Sequence, residues 1–398
     1  MTKQVQDAYI VAAVRTPVGK APRGVFRNTR PDDMLAFAID AALSRFPQID
    51  KARIDDAVIG CAMPEAEQGM NIGRIAVLLA GLPNVVSAVT VNRFCSSGLQ
   101  AVAMAADRIR LGEADLMIGG GTESMSMVPM MGYHPVFNPA IYDNEHIGIA
   151  YGMGITAEKV AEQWQVTREQ QDTFAVASHA KALAAIAAGE FADEIAPYTL
   201  ADHYPNLATR GTLDDTRIVK NDEGPRAGTT LDALAKLKTV FRAGGSVTAG
   251  NSSQMSDGAG AVLLASEQAI KDYNLTPLAR FVGFAVAGVP PEIMGIGPKA
   301  AIPKALKQTG IRQDDLDWIE LNEAFAAQAL AVIKDLGLNP DKVNPLGGAI
   351  ALGHPLGATG AVRIATLVNG LRRRKQKYGM VTMCIGTGMG AAGVFEAV

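Results

Sequence analysis

Three short stretches, far apart in a chain of 398 residues, carry groups suited to thioester chemistry. They are Val91-Asn92-Arg93-Phe94-Cys95-Ser96-Ser97-Gly98, Gly353-His354-Pro355-Leu356-Gly357 and Cys384-Ile385-Gly386-Thr387-Gly388-Met389-Gly390. Cys95 and Cys384 follow apolar, strand-like runs and sit in Gly/Ser-rich punctuation, where backbone N–H groups are free to point at a ligand. Apolar Leu99, Val102, Ala103, Ala106 and Ile109 have helical spacing, so a helix is predicted to begin beside Cys95. A thiol at that end feels the positive pole of the macrodipole, which predicts a lowered pKa. The plain alternative is a buried cysteine serving as a small hydrophobe.

His354, held between glycine and proline, is predicted to stay neutral and to serve as a base. His134, His146, His179 and His203 lie in polar or loop contexts and read as surface residues. At Cys384 the amides of Gly386 and Gly388 could approach a ligand, since no side chain intervenes. The alternative there is a packed strand end. Cys61 has no comparable frame and reads as packing. Asn322 and Glu323 stand where a strand over Asp317–Leu321 gives way to a helix over Ala324–Ile333. Asn322 either caps that helix or orients a water and polarises a carbonyl, and nothing local separates these. Nucleophile, base and polar orienter together fit carbon–carbon bond chemistry through an acyl-cysteine.

The elements that hold these groups alternate. Strand signals at Tyr9–Val14, Asp56–Gly60, Val86–Val91 and Asp115–Gly119 are interleaved with helices opening at Pro31-Asp32-Asp33, near Asn71–Leu82, and from about Ser96 to Leu111. Such alternation predicts parallel strands with crossover helices. The last third repeats the scheme: Asp315–Leu321 resembles Ile54–Gly60, and each is followed by a helix, a Gly-rich junction and a second helix. An internal duplication is predicted, with Cys95 and His354 at equivalent positions of two α/β halves. Residues 1–124, completed by about 252–275, form one half and 276–398 the other. Between them 125–251 is an inserted loop domain covering the site, with a capping box at Thr167–Gln170 opening a long helix towards Gly189. Asp202–Arg226, rich in Pro, Gly and Asp, reads as loop.

Composition narrows the class. Hydrophobic residues make up 48% and charged residues 19%, as in a well-packed globular enzyme, and the formal net charge of −3 argues against nucleic-acid or membrane-surface binding. Three dispersed cysteines make neither a disulfide framework nor a zinc site, so no metal is expected. No signal-peptide core, arginine-rich presequence or membrane-length apolar run is present, which makes a cytoplasmic location the expectation.

Taken together the segments resemble the thiolase family from Tyr9 to Val398. The carriers are Val91–Gln100, Asn322-Glu323-Ala324-Phe325-Ala326, Gly347–Pro355, Cys384–Gly390, and Thr248–Ser253 followed by Ser256–Ala259. The resemblance implies a five-layered α-β-α-β-α fold. It implies Cys95 as acyl-accepting nucleophile, His354 as its activating base and Cys384 as acid/base at the α-carbon. His354 with a water on Asn322 would make one oxyanion site, and the amides of Cys95 and Gly386 the other. Ser253 and Met153 match positions lining the pantetheine of coenzyme A and Arg226 one near the nucleotide, and Phe325 is a further substrate- or CoA-binding candidate. Coenzyme A is a substrate, and no cofactor is implied.

Gly152-Met153-Gly154 lacks the histidine that biosynthetic members often carry, and Pro290–Pro298 resembles long-chain enzymes. The activity implied is therefore thiolytic cleavage of 3-oxoacyl-CoA in fatty acid β-oxidation. The alternatives are condensation of acetyl-CoA by an acetoacetyl-CoA thiolase and, from another class, a non-catalytic acyl-CoA or lipid carrier. Family members pair through the edge of the nucleophile-bearing half, which implies a homodimer. Met125–Tyr151 is too short for the loop that builds tetramers. A β-oxidation multienzyme partner is compatible with the resemblance.

Overall fold

A computed structural model describes residues 5–398. The N-terminal half runs β1 (Ala8–Arg15), β2 (Gly19–Lys20), α1 (Pro31–Leu43), β3 (Asp56–Gly60), α2 (Ile72–Leu79), β4 (Ser87–Val91), α3 (Ser97–Arg110) and β5 (Leu116–Ser124). The next stretch holds α4 (Met153–Gln163), α5 (Arg168–Ala187), β6 (Tyr198–Asn206), β7 (Gly211–Val219) and α6 (Leu231–Ala235), after which β8 (Ser256–Ala265) and α7 (Glu267–Asp272) return to the first half. The C-terminal half has β9 (Ala279–Gly288), α8 (Gly297–Thr309), β10 (Leu316–Leu321), α9 (Ala326–Leu336), α10 (Ala349–Leu352), α11 (Thr359–Arg374), β11 (Tyr378–Ile385) and β12 (Met389–Ala397).

The strand order, β4-β3-β5-β8-β1 continued by β9-β12-β11-β10, displays the duplication. In each half a parallel pair, β3/β5 or β10/β11, is followed by two antiparallel pairings. The fifth strand of the second half survives as a single parallel bridge between Ile319 and Val343. The sheets are thus mixed, where sequence alternation predicted parallel ones. The cause is visible at β11 and β12: they are joined by Gly386–Gly388 alone, and so short a link permits only an antiparallel return.

Helices α1 and α2 cover the outer face of the first half, and α8 and α9 that of the second; α3 and α11 lie between the sheets. This is the five-layered arrangement expected. The central helix α11 is buried from Thr359 through Leu371, and its buried polar members are partnered, Thr366 with Glu194 at 2.8 Å and Arg363 with Glu320 at 3.6 Å. Each of its large apolar side chains, such as Ile364 or Leu367, contributes roughly 1.5–3 kcal/mol by leaving water.

Local signals hold where they rest on backbone chemistry. Thr167 accepts from the Gln170 amide while Gln170 accepts from that of Thr167, closing the predicted capping box of α5. The stretch read as loop is instead largely the β6/β7 hairpin, paired from Tyr198–Val219 to Asn206–Gly211. Both its faces are mostly in water, so no apolar alternation marks it; Arg217 pairs with Asp202 at 3.1 Å across the strands.

The insertion is tied to the core by buried ions. Arg15 on β1 meets Glu194 at 2.7 Å and Asp222 at 2.7 and 2.9 Å, and Asp222 also accepts the Val18 amide at 2.8 Å. Removing one member would strand a buried charge, which typically costs about 3–5 kcal/mol.

Candidate active site

The stretch after β4 turns through Phe94 at φ 43° into α3, and the turn is held by Ser97, whose hydroxyl donates to Phe94 O and accepts the Arg93 amide. Cys95 therefore sits half-buried just ahead of the helix. From the other half His354 enters between α10 and α11 and is almost fully buried. The turn joining β11 to β12 supplies Gly386 and Thr387. Cys95, His354, Gly386, Ser253, Met153 and Phe325 all line one cavity of about 300 Å³.

Cys384, at the end of β11, lies fully buried just beneath, packed with Met153, Met294 and Phe325. It is close enough to Cys95 for the charge of one sulfur to oppose that of the other. Asn322 is buried, and its Nδ2 lies 3.3 Å from His354 Nε2. Its Oδ1 has no hydrogen-bond partner among the described residues. It does not cap a helix, because α9 begins only at Ala326 with Phe325 as N-cap.

His354 Nδ1 is 2.7 Å from Thr359 Oγ1, and that hydroxyl donates in turn to Pro355 O at 3.2 Å. Thr359 thus accepts from an Nδ1–H, which leaves Nε2 with its lone pair facing Asn322 and the cavity. Burial, reinforced by the positive charge of Arg363, lowers the His354 pKa to about 3. The imidazole is neutral at pH 7, as the sequence predicted.

The cysteines correct one expectation. Burial pushes the Cys95 thiol up to about 11, against the lowering predicted from the helix end. The amides of Gly386 and of Cys95 itself hydrogen-bond the sulfur and oppose the rise without cancelling it, and Glu123 adds to it. Desolvation outweighs the dipole because few donors face the sulfur in so apolar a setting. Cys384 is raised further, first by burial and then by Cys95.

Other singled-out residues take different places. Gly388 turns away from the cavity, its carbonyl accepting from Val289 N at 2.8 Å. Arg226 is not among the cavity-lining residues; its amide donates to His179 Nδ1 at 3.2 Å. His179 is buried rather than at the surface, a result of α5 lying against α10. Glu323 is structural: buried, it accepts from Ser178 Oγ, Asn344 Nδ2 and the Ile350 amide at 2.7–3.2 Å. Cys61 is buried packing, its sulfur 4.0 Å from Glu123.

Two residues escaped the sequence reading. Glu123 accepts the amides of Ala62, Met63 and Gly357, clamping the loop after β3 to the His354 segment. Thr359 fixes the imidazole. Its position five residues past a histidine in a Gly-rich frame was a usable signal, whereas nothing local marks Glu123.

Residues 8–268 match the thiolase N-terminal domain and residues 275–397 the thiolase C-terminal domain. The chain belongs to the thiolase family. A 3-ketoacyl-CoA thiolase of Bacillus subtilis is 50% identical over 98% of this chain and 100% of its own length. A beta-ketoadipyl-CoA thiolase of Acinetobacter baylyi is 46% identical over 99% and 100%. The crystal structure of human mitochondrial 3-ketoacyl-CoA thiolase superposes with a TM-score of 0.89 at 38% identity, covering 99% of this thiolase-family chain and 100% of that one. Among the described residues no helix is long and apolar enough to cross a membrane. None of their His, Cys, Asp and Glu side chains forms a group able to hold a metal ion.

Proposed function

We propose that the protein cleaves 3-oxoacyl-CoA with coenzyme A, giving acetyl-CoA and an acyl-CoA shortened by two carbons, as in fatty acid β-oxidation. One observation carries this: Cys95, His354 and the Gly386 amide converge on one apolar cavity, with Cys384 packed directly beneath. His354 Nε2 takes the Cys95 proton as the sulfur attacks the 3-keto carbon, and the two steps run together because the resting pair is neutral thiol and neutral imidazole. The C2–C3 bond breaks, its electrons pass to the acetyl-CoA enolate, and the Cys384 thiol protonates that carbon. The Cys384 thiolate then removes the proton of the incoming CoA thiol, whose attack on the acyl-cysteine releases the shortened product while the His354 imidazolium returns its proton to the departing Cys95 sulfur.

The Gly386 and Cys95 amides, already aimed at the sulfur, would hold the oxyanion formed at the 3-keto carbon. The imidazole, with a water held by Asn322 Oδ1, would hold the enolate oxygen. Ser253, Met153 and Phe325 would line the pantetheine, and Arg226 would meet the nucleotide outside the cavity. Residues 125–251 act as the covering domain between the two halves. Coenzyme A is substrate, and the chemistry needs no other cofactor.

A homodimer through β4 fits the same reading. That strand is a free sheet edge, with Val89 40% and nearby Val85 73% exposed. A cytoplasmic location is the companion proposal. Incubation with 3-oxooctanoyl-CoA alone, followed by peptide mass spectrometry, should find a hexanoyl group on Cys95, and initial rates should be ping-pong. An intersecting ternary pattern with unmodified Cys95 would overturn the scheme.

A further inference from the structure

Outside the cavity, a cluster of buried charges joins the insertion to both halves. To the contacts of Arg15 with Glu194 and Asp222, α11 adds Thr366, which donates to Glu194 at 2.8 Å, and Arg363, which faces Glu320 of β10. Among the described residues the cluster sets three carboxylates, Glu194, Asp222 and Glu320, against two guanidinium groups, so it is not neutral with every member ionised. Asp222 accepts three hydrogen bonds at 2.7–2.9 Å, and Glu194 accepts from Arg15 and Thr366. Glu320 accepts one, from the Trp318 indole at 2.7 Å, and its Oε2 has no hydrogen-bond partner among the described residues. The balancing proton therefore falls to Glu320, the carboxylate least served by donors. Burial pushes that carboxyl up to about 7, with Arg363 and the indole opposing the rise and Glu194 and Glu323 adding to it. The guanidinium of Arg374, also from α11, lies 4.8 Å from the centroid of the Trp318 ring.

Arg363 stands between two acceptors and is held closely by neither. One terminal nitrogen lies 3.6 Å from Glu320 Oε2, and the other lies 3.4 Å from the carbonyl of Gly353, the residue before His354. Both members of the pair are almost fully buried, so their charges are weakly screened. On the thiolytic reading just given, we infer that Arg363 is a positioning residue for His354 and that Glu320 sets it. A protonated Glu320 leaves the guanidinium on the Gly353 carbonyl; an ionised one, its proton released to water, draws the guanidinium off. In the first state an unopposed positive charge bears on the ring and resists the imidazolium that forms as Cys95 gives up its proton. In the second the pair cancels and the transfer is eased. Quenching one buried charge at this range changes the acylation rate by about tenfold.

The test follows single-turnover acylation of the intact protein by 3-oxooctanoyl-CoA between pH 6 and 8.5. In wild type the rate should rise with a midpoint at about 7. Glu320→Gln keeps the acceptor for the Trp318 indole and carries no charge, so it should remain at the slow acid rate throughout. Removing the cation as well, in Glu320→Gln with Arg363→Met, should restore the fast rate and leave it independent of pH. A purely structural pair predicts the reverse, with the double variant slower than the single one. A rise that persists in Glu320→Gln, or a double variant no faster than it, overturns the inference. Infrared difference spectra between pH 6 and 8 give a second readout that needs no turnover. Wild type should lose the carbonyl band of a buried carboxylic acid and Glu320→Gln should show no such change; wild type without that band overturns the inference whatever the variants do. A wild-type protein that cleaves no 3-oxoacyl-CoA would instead overturn the thiolytic reading, and with it the role given to the pair.

Discussion

Replacing Thr359 by valine removes one oxygen at nearly constant shape and tests how the base is set. Thr359 is fully buried, and its Oγ1 accepts the His354 Nδ1–H at 2.7 Å while donating to Pro355 O at 3.2 Å. Valine leaves the Nδ1–H without an acceptor, a loss of about 1–3 kcal/mol for a buried group. The ring recovers part of that by moving its proton to Nε2, and Nε2 can then no longer accept from Cys95. At about 1.4 kcal/mol per decade, kcat should fall by roughly 5–150-fold. KM for CoA should stay within about twofold, because Thr359 does not line the cavity. The assay is steady-state thiolysis of acetoacetyl-CoA for wild type, Thr359→Val and Thr359→Ser, with urea unfolding to confirm that each is folded. Thr359→Ser restores the acceptor and should recover most of the rate. A Thr359→Val enzyme within twofold of wild-type kcat, or a serine variant as slow as the valine one, would refute the argument.

Cys384→Ser should lower turnover by about 10²–10⁴-fold, the usual range for a general acid–base. Exchange of acetyl-CoA α-hydrogens with deuterated water should fall far more than acetyl transfer between CoA thioesters; undiminished exchange would assign the carbon proton elsewhere. His179 is lowered to about 4, by burial first and then by Arg226 and Lys20. Its ordinary value is about 6.5, so the stability it contributes is present above that pH and is lost as pH falls towards 4, up to about 3 kcal/mol. The gap between the urea midpoints at pH 7 and 4.5 should therefore narrow in His179→Gln, the part due to His354 remaining, and an equal acid loss in both proteins would contradict this. Val89→Lys places like charges along the β4 edge and should convert the dimer to monomer by light scattering; an undisturbed dimer would exclude that edge as the interface.

The sequence disclosed what rests on local chemistry. The capping box, the glycine frames and the repeated strand–helix order are each written in neighbouring residues; the repeat implied two similar halves, and the family resemblance implied the five layers. Long-range consequences escaped it. That α5 buries His179 depends on a contact with α10 far along the chain, and the β6/β7 hairpin has no apolar face to announce it. The Cys95 pKa went the wrong way for a similar reason. The helix end is local and readable, whereas the desolvation that outweighs it comes from segments assembled around the sulfur.

At the junction of the halves, backbone meets backbone with nothing between. A Cβ on Gly360 would lie 2.0 Å from Leu99 N, and one on Gly121 would lie 2.1 Å from Gly357 O. The backbones of Cys95 and His354 are thereby registered to each other by main chain. Variation in this scaffold has to act elsewhere. Met130, Met131 and Val136, exposed on the cavity wall after β5, stand away from this seam, so substitutions there leave the reacting groups in place. Recombining halves from two relatives is the opposite case: a parental mismatch of a single methyl group at this seam separates nucleophile from base.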